Sequence, residues 1–188
     1  MLLRSVLTIS LTAFAFTASA DSIDINVSDD AAQFQYIAPM GSVGQGKSEV
    51  HAGFLYNDSD NTMIDAGLLV ASKDATNSDL SFGVGVKALA ADINSENALA
   101  LALGGMVRFS PTGDKKFGIT AQIFFAPDIV TFGDADSYVQ TGMTVEYKIM
   151  SETAAYLGYR KIKFGIKSPL VSDQVLDDGP HIGVRVAF

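Results

Sequence analysis

The chain has 188 residues, a formal net charge of −8 and no cysteine. The lack of cysteine excludes a disulfide framework and a thiolate metal site. The acidic balance argues against a nucleic-acid partner, because phosphate binding needs clustered lysine and arginine. Mean hydropathy is +0.24, yet no segment beyond residue 20 approaches the run of about twenty apolar residues that a membrane helix needs.

The first twenty residues are typical of a secretory signal peptide. Residues 1–4 are basic, residues 5–17 are apolar, and Ala18-Ser19-Ala20 offers a cleavage motif before Asp21. We expect export with cleavage after Ala20, leaving one domain over residues 21–188. An uncleaved anchor is the alternative, whereas a lipoprotein is not expected because no cysteine follows the small residues.

Alternation of apolar and polar residues, the pattern of β-strands, recurs along the rest of the chain. Most of the runs have about nine to twelve residues, the length with which a tilted strand crosses a bilayer. The runs are residues 23–27, 31–38, 49–57, 63–72, 80–90, 99–109, 117–125, 140–149, 155–166 and 181–188.

One face of these runs carries large apolar side chains, and the other carries Gly, Ser, Thr, Gln and isolated charges. A soluble barrel would cover its outer face with many charges, so the pattern favours apolar-out strands in lipid. The sequence therefore predicts an all-β fold, a transmembrane antiparallel up-and-down β-barrel. Ten strands are favoured; eight is the alternative, if the first two runs form one bent strand.

The connections should alternate between the two sides of the membrane, with both termini on the periplasmic side. Ile162, Phe164 and Ile166 are apolar but share the phase of Arg160, so we expect a bulge near Arg160 or Lys161 that returns them to the lipid face. The connections predicted outside are 57–61, 91–97, 128–136 and 169–178, and those predicted in the periplasm are 40–47, 73–79, 111–115 and 151–152.

The last run has the pattern of the closing strand of such a barrel. Ile182, Val184, Val186 and Phe188 form its apolar face, and Arg185 points the other way. An apolar strand that ends in Phe is also typical of the signal that the barrel assembly machinery recognises, so we expect that machinery as a partner.

Several segments resemble the YfaZ-type outer-membrane proteins, which are small Gram-negative barrels without an established function. The resemblance covers about residues 21–188, and it implies a transmembrane barrel in the outer membrane, no cofactor and no catalytic residues. The segments are GVGVKALA (83–90), NALALALGGM (97–106), FFAPDIVTFGDADSYVQ (124–140), YLGYRKI (156–162) and DDGPHIGVRVAF (177–188).

Charged residues on the polar face predict a network inside the barrel. A charge in a narrow lumen must be paired, because an isolated one costs several kcal/mol. Glu146 and Arg160 lie at similar distances from the turn at 151–152, so we expect them to be neighbours. The predicted network is Asp65, Lys87, Arg108, Glu146, Lys148, Arg160 and Arg185, with His51 on the same face.

These residues favour a monomeric structural protein of the envelope with an ion-pair-plugged lumen. A narrow channel lined with charge is the first alternative, and a lipid-modifying or proteolytic barrel enzyme is the second. His181 follows Asp177 as in an acid–histidine pair, but no serine motif accompanies it, so no catalytic or metal-binding residue is assigned. Lys161, Lys163 and Lys167 approach the outer rim, where they could contact lipopolysaccharide phosphates.

Overall fold

The computed structural model describes residues 21–94, 96–111, 116–167 and 173–188. The predicted signal peptide, most of the predicted 111–115 turn and the first part of the predicted 169–178 loop lie outside the described residues. No helix in the described ranges is long and apolar enough to cross a membrane.

The described residues form a closed antiparallel barrel of ten strands, in which each strand pairs with its neighbours along the chain. β1 and β11 pair from Ser22↔Ala187 to Ser28↔His181 and close the ring. A short strand, β8, follows a 3₁₀ turn at Asp128–Val130 and pairs with β6 beside the ring. The strands are β1 Ser22–Ser28, β2 Ala31–Val43, β3 Gly46–Asn57, β4 Thr62–Lys73, β5 Leu80–Ile93, β6 Glu96–Phe109, β7 Phe117–Ala126, β8 Thr131–Gly133, β9 Ala135–Lys148, β10 Thr153–Ile166 and β11 Gln174–Ala187.

The prediction of ten barrel strands is confirmed, and the alternative of eight is wrong. Ser22–Ser28 and Ala31–Val43 are separate strands paired to each other from Ser22↔Ile37 to Val27↔Ala32. The start of β1 and the end of β11 therefore lie at the same end of the barrel, which we name the terminal end. The opposite end, the far end, carries the long connection between β7 and β9.

Some connections are much shorter than the sequence predicted. The segment at 40–47 is wrongly predicted as a long connection, because β2 and β3 pair as far as Val43↔Gly46. Gly41 and Gly44 have φ values of 101° and 61° there, which glycine adopts without a steric penalty. The predicted loop at 91–97 likewise reduces to a tight turn after Ile93, with Asn94 in the left-handed region at φ 52°.

The end of the predicted connection at 169–178 is also wrong, because Asp177 and Asp178 belong to β11. Their strand pairs with β10 through Lys161↔Asp178 and Tyr159↔Pro180. β1 reaches only as far as His181 along β11. Pro180 therefore lies beyond the β1 ladder, where its missing N–H group removes no hydrogen bond from β1.

The outer surface of the barrel is a continuous apolar belt. Val84, Leu103 and Ile182 are 70%, 65% and 60% exposed, far more than residues of a soluble core would be. Side chains at alternate positions of every long strand repeat this pattern. The apolar-out prediction is therefore confirmed, since this belt needs lipid to cover it.

The barrel interior contains the hydrophobic core, and this core lies in the far half only. We name it the apolar cap. Its largest fully buried members include Tyr138, Phe164, Leu55, Met63 and Ile93, all at most 1% exposed. Small alanines of β6 face them, so large and small side chains interlock as in a soluble core.

The bulge predicted on β10 to move its apolar residues outward is wrong. Ile162 and Phe164 stay in phase with Arg160 and are fully buried in the lumen. The irregularity lies opposite them on β11, where the register with β10 shifts between Ile162 and Lys163. The extra residue places both Leu176 and Asp177 inside, so the bulge supplies one cap residue and one charge.

Candidate functional site

Below the apolar cap, the lumen is crossed by hydrogen-bonded polar side chains, which we name the polar layer. Arg160 lies at its centre and is buried. Its Nε donates to Oδ2 of Asp177 at 2.6 Å, and its Nη1 donates to Oδ1 of Asn26 at 2.9 Å and to Gln33. Ser28 donates a second hydrogen bond to Asp177 at 3.0 Å. These contacts connect four strands around one guanidinium.

A second cluster of the polar layer lies on β3, β4 and β5. The Lys87 Nζ is 3.3 Å from the nearest Asp65 carboxylate oxygen and donates to Gln140 at 3.0 Å. His51 Nε2 is 3.8 Å from the same carboxylate. The Lys87–Gln140 bond joins this cluster to β9 across the barrel, where Tyr138 also donates to Gln140 at 2.6 Å.

A third cluster of the polar layer faces the terminal end. Glu146 is paired by Arg108, which also donates to the Thr120 hydroxyl at 3.3 Å. Arg185 contacts the other Glu146 oxygen at 3.6 Å and donates to Asp24 at 3.0 Å. Two arginines therefore hold one carboxylate.

The predicted Glu146–Arg160 pair is wrong. In the β9–β10 register Glu146 is opposite Tyr156, and Arg160 is opposite Gly142. Arg160 therefore lies four residue pairs farther from the terminal end than Glu146. It pairs instead with Asp177, which the sequence had placed in the connection at 169–178.

The glycines of the lumen face make room for these side chains. A methyl group on Gly53 would lie 2.6 Å from the Asp65 carboxylate, and one on Gly67 would lie 2.5 Å from the His51 ring. On Gly118 it would lie 2.7 Å from the Arg108 guanidinium. Each large polar side chain thus lies across a glycine of the adjacent strand. A barrel of ten strands can hold a full layer of them only because this wall is glycine-rich.

His181 belongs to the polar layer, where it is buried. It is opposite Gly158 and Ser28 in the ladders of β11. Its ring packs edge-on against Tyr156, with the centroids 5.8 Å apart. Among the described residues its Nδ1 has no hydrogen-bond partner, so no acid orients the ring for proton transfer.

The terminal half of the lumen is open. A cavity of about 910 Å³ lies between the polar layer and the terminal end, and we name it the vestibule. Hydroxyl groups such as Ser81 and Thr144 contribute to its wall. Lys148, the remaining member of the predicted network, is exposed there and not in the polar layer. The charged lining residues are Lys47, Glu49, Lys73, Arg108, Glu146, Lys148, Glu152 and Arg185.

The three lysines predicted near the outer rim lie at the far end, outside the lumen. Lys161 pairs with Asp178 at 2.6 Å, and Lys163 pairs with Asp173. Lys167 is 3.8 Å from Asp128. Each lysine is accompanied by a carboxylate, a feature that the sequence did not predict.

The apolar residues of the last strand all face away from the lumen, with exposed fractions from 41% to 66%. Their suggested role in assembly stays a prediction. These residues are Ile182, Val184, Val186 and Phe188.

Several residues of the polar layer were not in the predicted network, but their strand phase contained a signal for some of them. Asp24 and Asn26 alternate with the outward-facing isoleucines of β1, which places them in the lumen. Gln33 and Gln140 likewise alternate with apolar neighbours. The predicted network was built from charged residues, so it omitted the amide side chains. For Asp177 no such signal existed, because a bulge brings it inside.

Comparison with known proteins was made on the sequence and on the fold. No curated protein matches the chain. Similar solved structures include a KdgM porin, 10% identical with TM-score 0.46 over 90% of this chain and 99% of that one. A NanC porin is 12% identical with TM-score 0.48 over 89% and 99%. OmpT of Vibrio cholerae is 14% identical with TM-score 0.41 over 89% and 64%.

The match to a protein family covers almost the whole sequence. The family model described as YfaZ precursor matches residues 2–188. This agrees with the resemblance of the segments from residue 83 to residue 188 and with the closed barrel and its lipid-facing belt. The chain belongs to the YfaZ family and is a small β-barrel of the outer-membrane type.

Proposed function

We propose that this protein is a structural barrel of the outer membrane whose lumen does not conduct. The observation that carries the proposal is the stacking of two different barriers in one lumen, the apolar cap above the polar layer. An ion crossing the cap would lose its hydration among Leu55, Met63 and Phe164, whose side chains offer no polar group in place of water. Hydrophobic constrictions of this kind exclude ions in channels that are closed.

The polar layer adds a second barrier of a different kind. Its charges balance: Asp24, Asp65, Glu146 and Asp177 are matched by Lys87, Arg108, Arg160 and Arg185. A passing ion would have to separate pairs that are already desolvated, and breaking one buried pair costs about 3–5 kcal/mol. The sequence hypothesis of an ion-pair plug thus becomes a proposal of a plug with an apolar part as well.

Planar-bilayer recording of the refolded protein tests the proposal. The wild type should give no unitary currents. The variant Tyr138→Ala/Phe164→Ala, which removes two rings packed 5.0 Å apart in the cap, should leak more. Phe125→Ala, on the lipid face, is the matched control and should stay silent. Unitary wild-type currents that change in Glu146→Ala would establish the narrow channel instead.

The proposal includes partners at the membrane surface. Lys161 and Lys163 face outward at the far end, where lipid A phosphates lie if that end is external, and we propose that they contact these phosphates. Lys161→Gln/Lys163→Gln should then refold at the wild-type rate in phosphatidylcholine vesicles and lose the acceleration that added lipopolysaccharide gives. Equal acceleration of both proteins would contradict the contact. Recognition of the last strand by the assembly machinery is part of the same proposal.

No catalytic step is part of this proposal. The one candidate base, His181, packs against Tyr156 inside the polar layer and is 6% exposed. A lipid or peptide substrate that arrives from the far end would have to pass the apolar cap to reach it. If His181→Ala abolished a measurable change in lipid A, the proposal would have to give way to a barrel enzyme.

A further inference from the structure

The vestibule combines three features of a ligand site: volume, access and unneutralised charge. Its volume of about 910 Å³ lies at the upper end of the range of about 300–1,000 Å³ for small-molecule sites. It opens at the terminal end, and the polar layer bounds it on the other side.

The charge of the vestibule is opposite to that of the protein. Its lining has five cationic and three anionic side chains, although the chain as a whole carries −8. Glu146, at the floor, forms its ion pairs with Arg108 and Arg185 rather than with the lysines at the mouth. Clustered charge of one sign between walls of low dielectric focuses the electric field on the enclosed space.

Three lysines at the mouth have no partner of their own. Lys47 on β3 and Lys73 on β4 lie on one side of the opening, and Lys148 on β9 lies on the other. None of the three forms an ion pair with any residue in the described part of the chain. This contrasts with Lys161 and Lys163 on the outer face, each of which has an aspartate. Lysine ammonium groups bind anions as point charges, so these three are available to a ligand.

We propose that the vestibule binds a small, soluble organic polyanion bearing carboxylates or phosphates. The mouth lysines would hold its charged ends, and the hydroxyls of the wall would donate to its remaining oxygens. With the terminal end in the periplasm, the ligand is a periplasmic solute. The inference does not depend on the plug: a conducting lumen would overturn the proposed function and leave this site in place.

Thiol labelling tests the electric field in the vestibule. An introduced cysteine is the only thiol that can react, because the chain has no cysteine of its own. Ser81 lines the vestibule between Lys73 and Arg108 in the strand register. In Ser81→Cys, a methanethiosulfonate carrying a sulfonate should react at least about tenfold faster than one carrying a trimethylammonium group, relative to free cysteine. The preference should disappear in 1 M salt, where the Debye length is about 3 Å.

Two variants serve as controls for the labelling. In the background Lys47→Gln/Lys73→Gln/Lys148→Gln, the preference should fall to about the value for free cysteine. The lysines form no ion pair, so this variant should fold, and heat-modifiable gel migration checks that it does. Ser59→Cys, in the far-end loop between Asp58 and Asp60, should prefer the cationic reagent. A preference in Ser81→Cys that is absent, or that survives the lysine substitutions, refutes the proposal.

Ligand protection identifies the anion. Citrate and inorganic pyrophosphate at millimolar concentration should slow the labelling of Ser81→Cys by an uncharged reagent, and neither should affect Ser59→Cys. Protection by citrate alone indicates a carboxylate ligand, and protection by pyrophosphate alone indicates a phosphate ligand. If neither protects, the vestibule is not a polyanion site. The variant Lys161→Gln/Lys163→Gln should retain full protection, since its lost charges lie on the outer face.

Discussion

The substitution Arg160→Met removes the cation of a buried ion pair and leaves its aspartate in place. The Asp177 side chain is 2% exposed, and without Arg160 it retains only the Ser28 hydroxyl among its contacts. Leaving one member of a buried pair alone costs about 3–5 kcal/mol, so we expect the free energy of unfolding to fall by about that amount. In Arg160→Met/Asp177→Asn, about 2 kcal/mol should return, because the second substitution removes the unpaired charge.

The assay is urea unfolding in phospholipid vesicles, followed by circular dichroism and gel mobility because the chain has no tryptophan. Lys161→Met is a matched control: it is adjacent on β10 and also has an aspartate partner, but its side chain is 46% exposed. Exposed pairs contribute about 0–1 kcal/mol, so its effect should stay within that range. If Arg160→Met changed stability no more than Lys161→Met, or if the double variant were as unstable as the single one, the account of the polar layer would be refuted.

Two further substitutions, each with its own control substitution, test the packing of the lumen by the same unfolding assay. Gly104→Ala should cost about 1–3 kcal/mol, because its methyl group would collide with the carbonyl oxygen of Ile123. Gly179→Ala, which meets nothing within 4 Å, should cost less, and equal costs would contradict the steric account. Leu55→Ala in the apolar cap should cost about 2–5 kcal/mol, against less than about 1 kcal/mol for Leu103→Ala on the lipid face. If Leu103→Ala lowered the free energy of unfolding as much as Leu55→Ala, the far half of the lumen would not be a packed core.

Strand phase is the part of the fold that the sequence predicts well. In a strand, successive residues must face opposite sides, so Ile182 and Arg185 are assigned to lipid and lumen without any knowledge of neighbours. The same rule places Asp24, Asp65 and Lys87 inside. The count of ten strands follows from the number of alternating runs and from the even number that bacterial barrels require.

Which lumen groups meet depends on register, and register depends on turns and bulges that the sequence indicates only weakly. One extra residue in β11 turns Asp177 inward to Arg160, and Glu146 is left to Arg108 and Arg185. A shift by one residue reverses every side chain beyond it. The expected Glu146–Arg160 pair is a different case, because the β9–β10 ladder is regular around the turn at 151–152 and pairs Glu146 with Tyr156, as the spacing from that turn gives.

Only the tertiary structure shows that the lumen is divided into the apolar cap, the polar layer and the vestibule. In the sequence, Ile162 and Phe164 have the same phase as the lumen residues. Their phase does not decide their environment, because an apolar side chain is stabilised by burial in lipid as well as in a protein core. Only closure of the barrel shows that the far half has enough facing side chains to pack them. By itself, the sequence determined that these strands lie in a membrane with a polar lumen. The closed ring then decided which end of that lumen is filled and which is open, because packing and pairing involve residues from strands far apart in the chain.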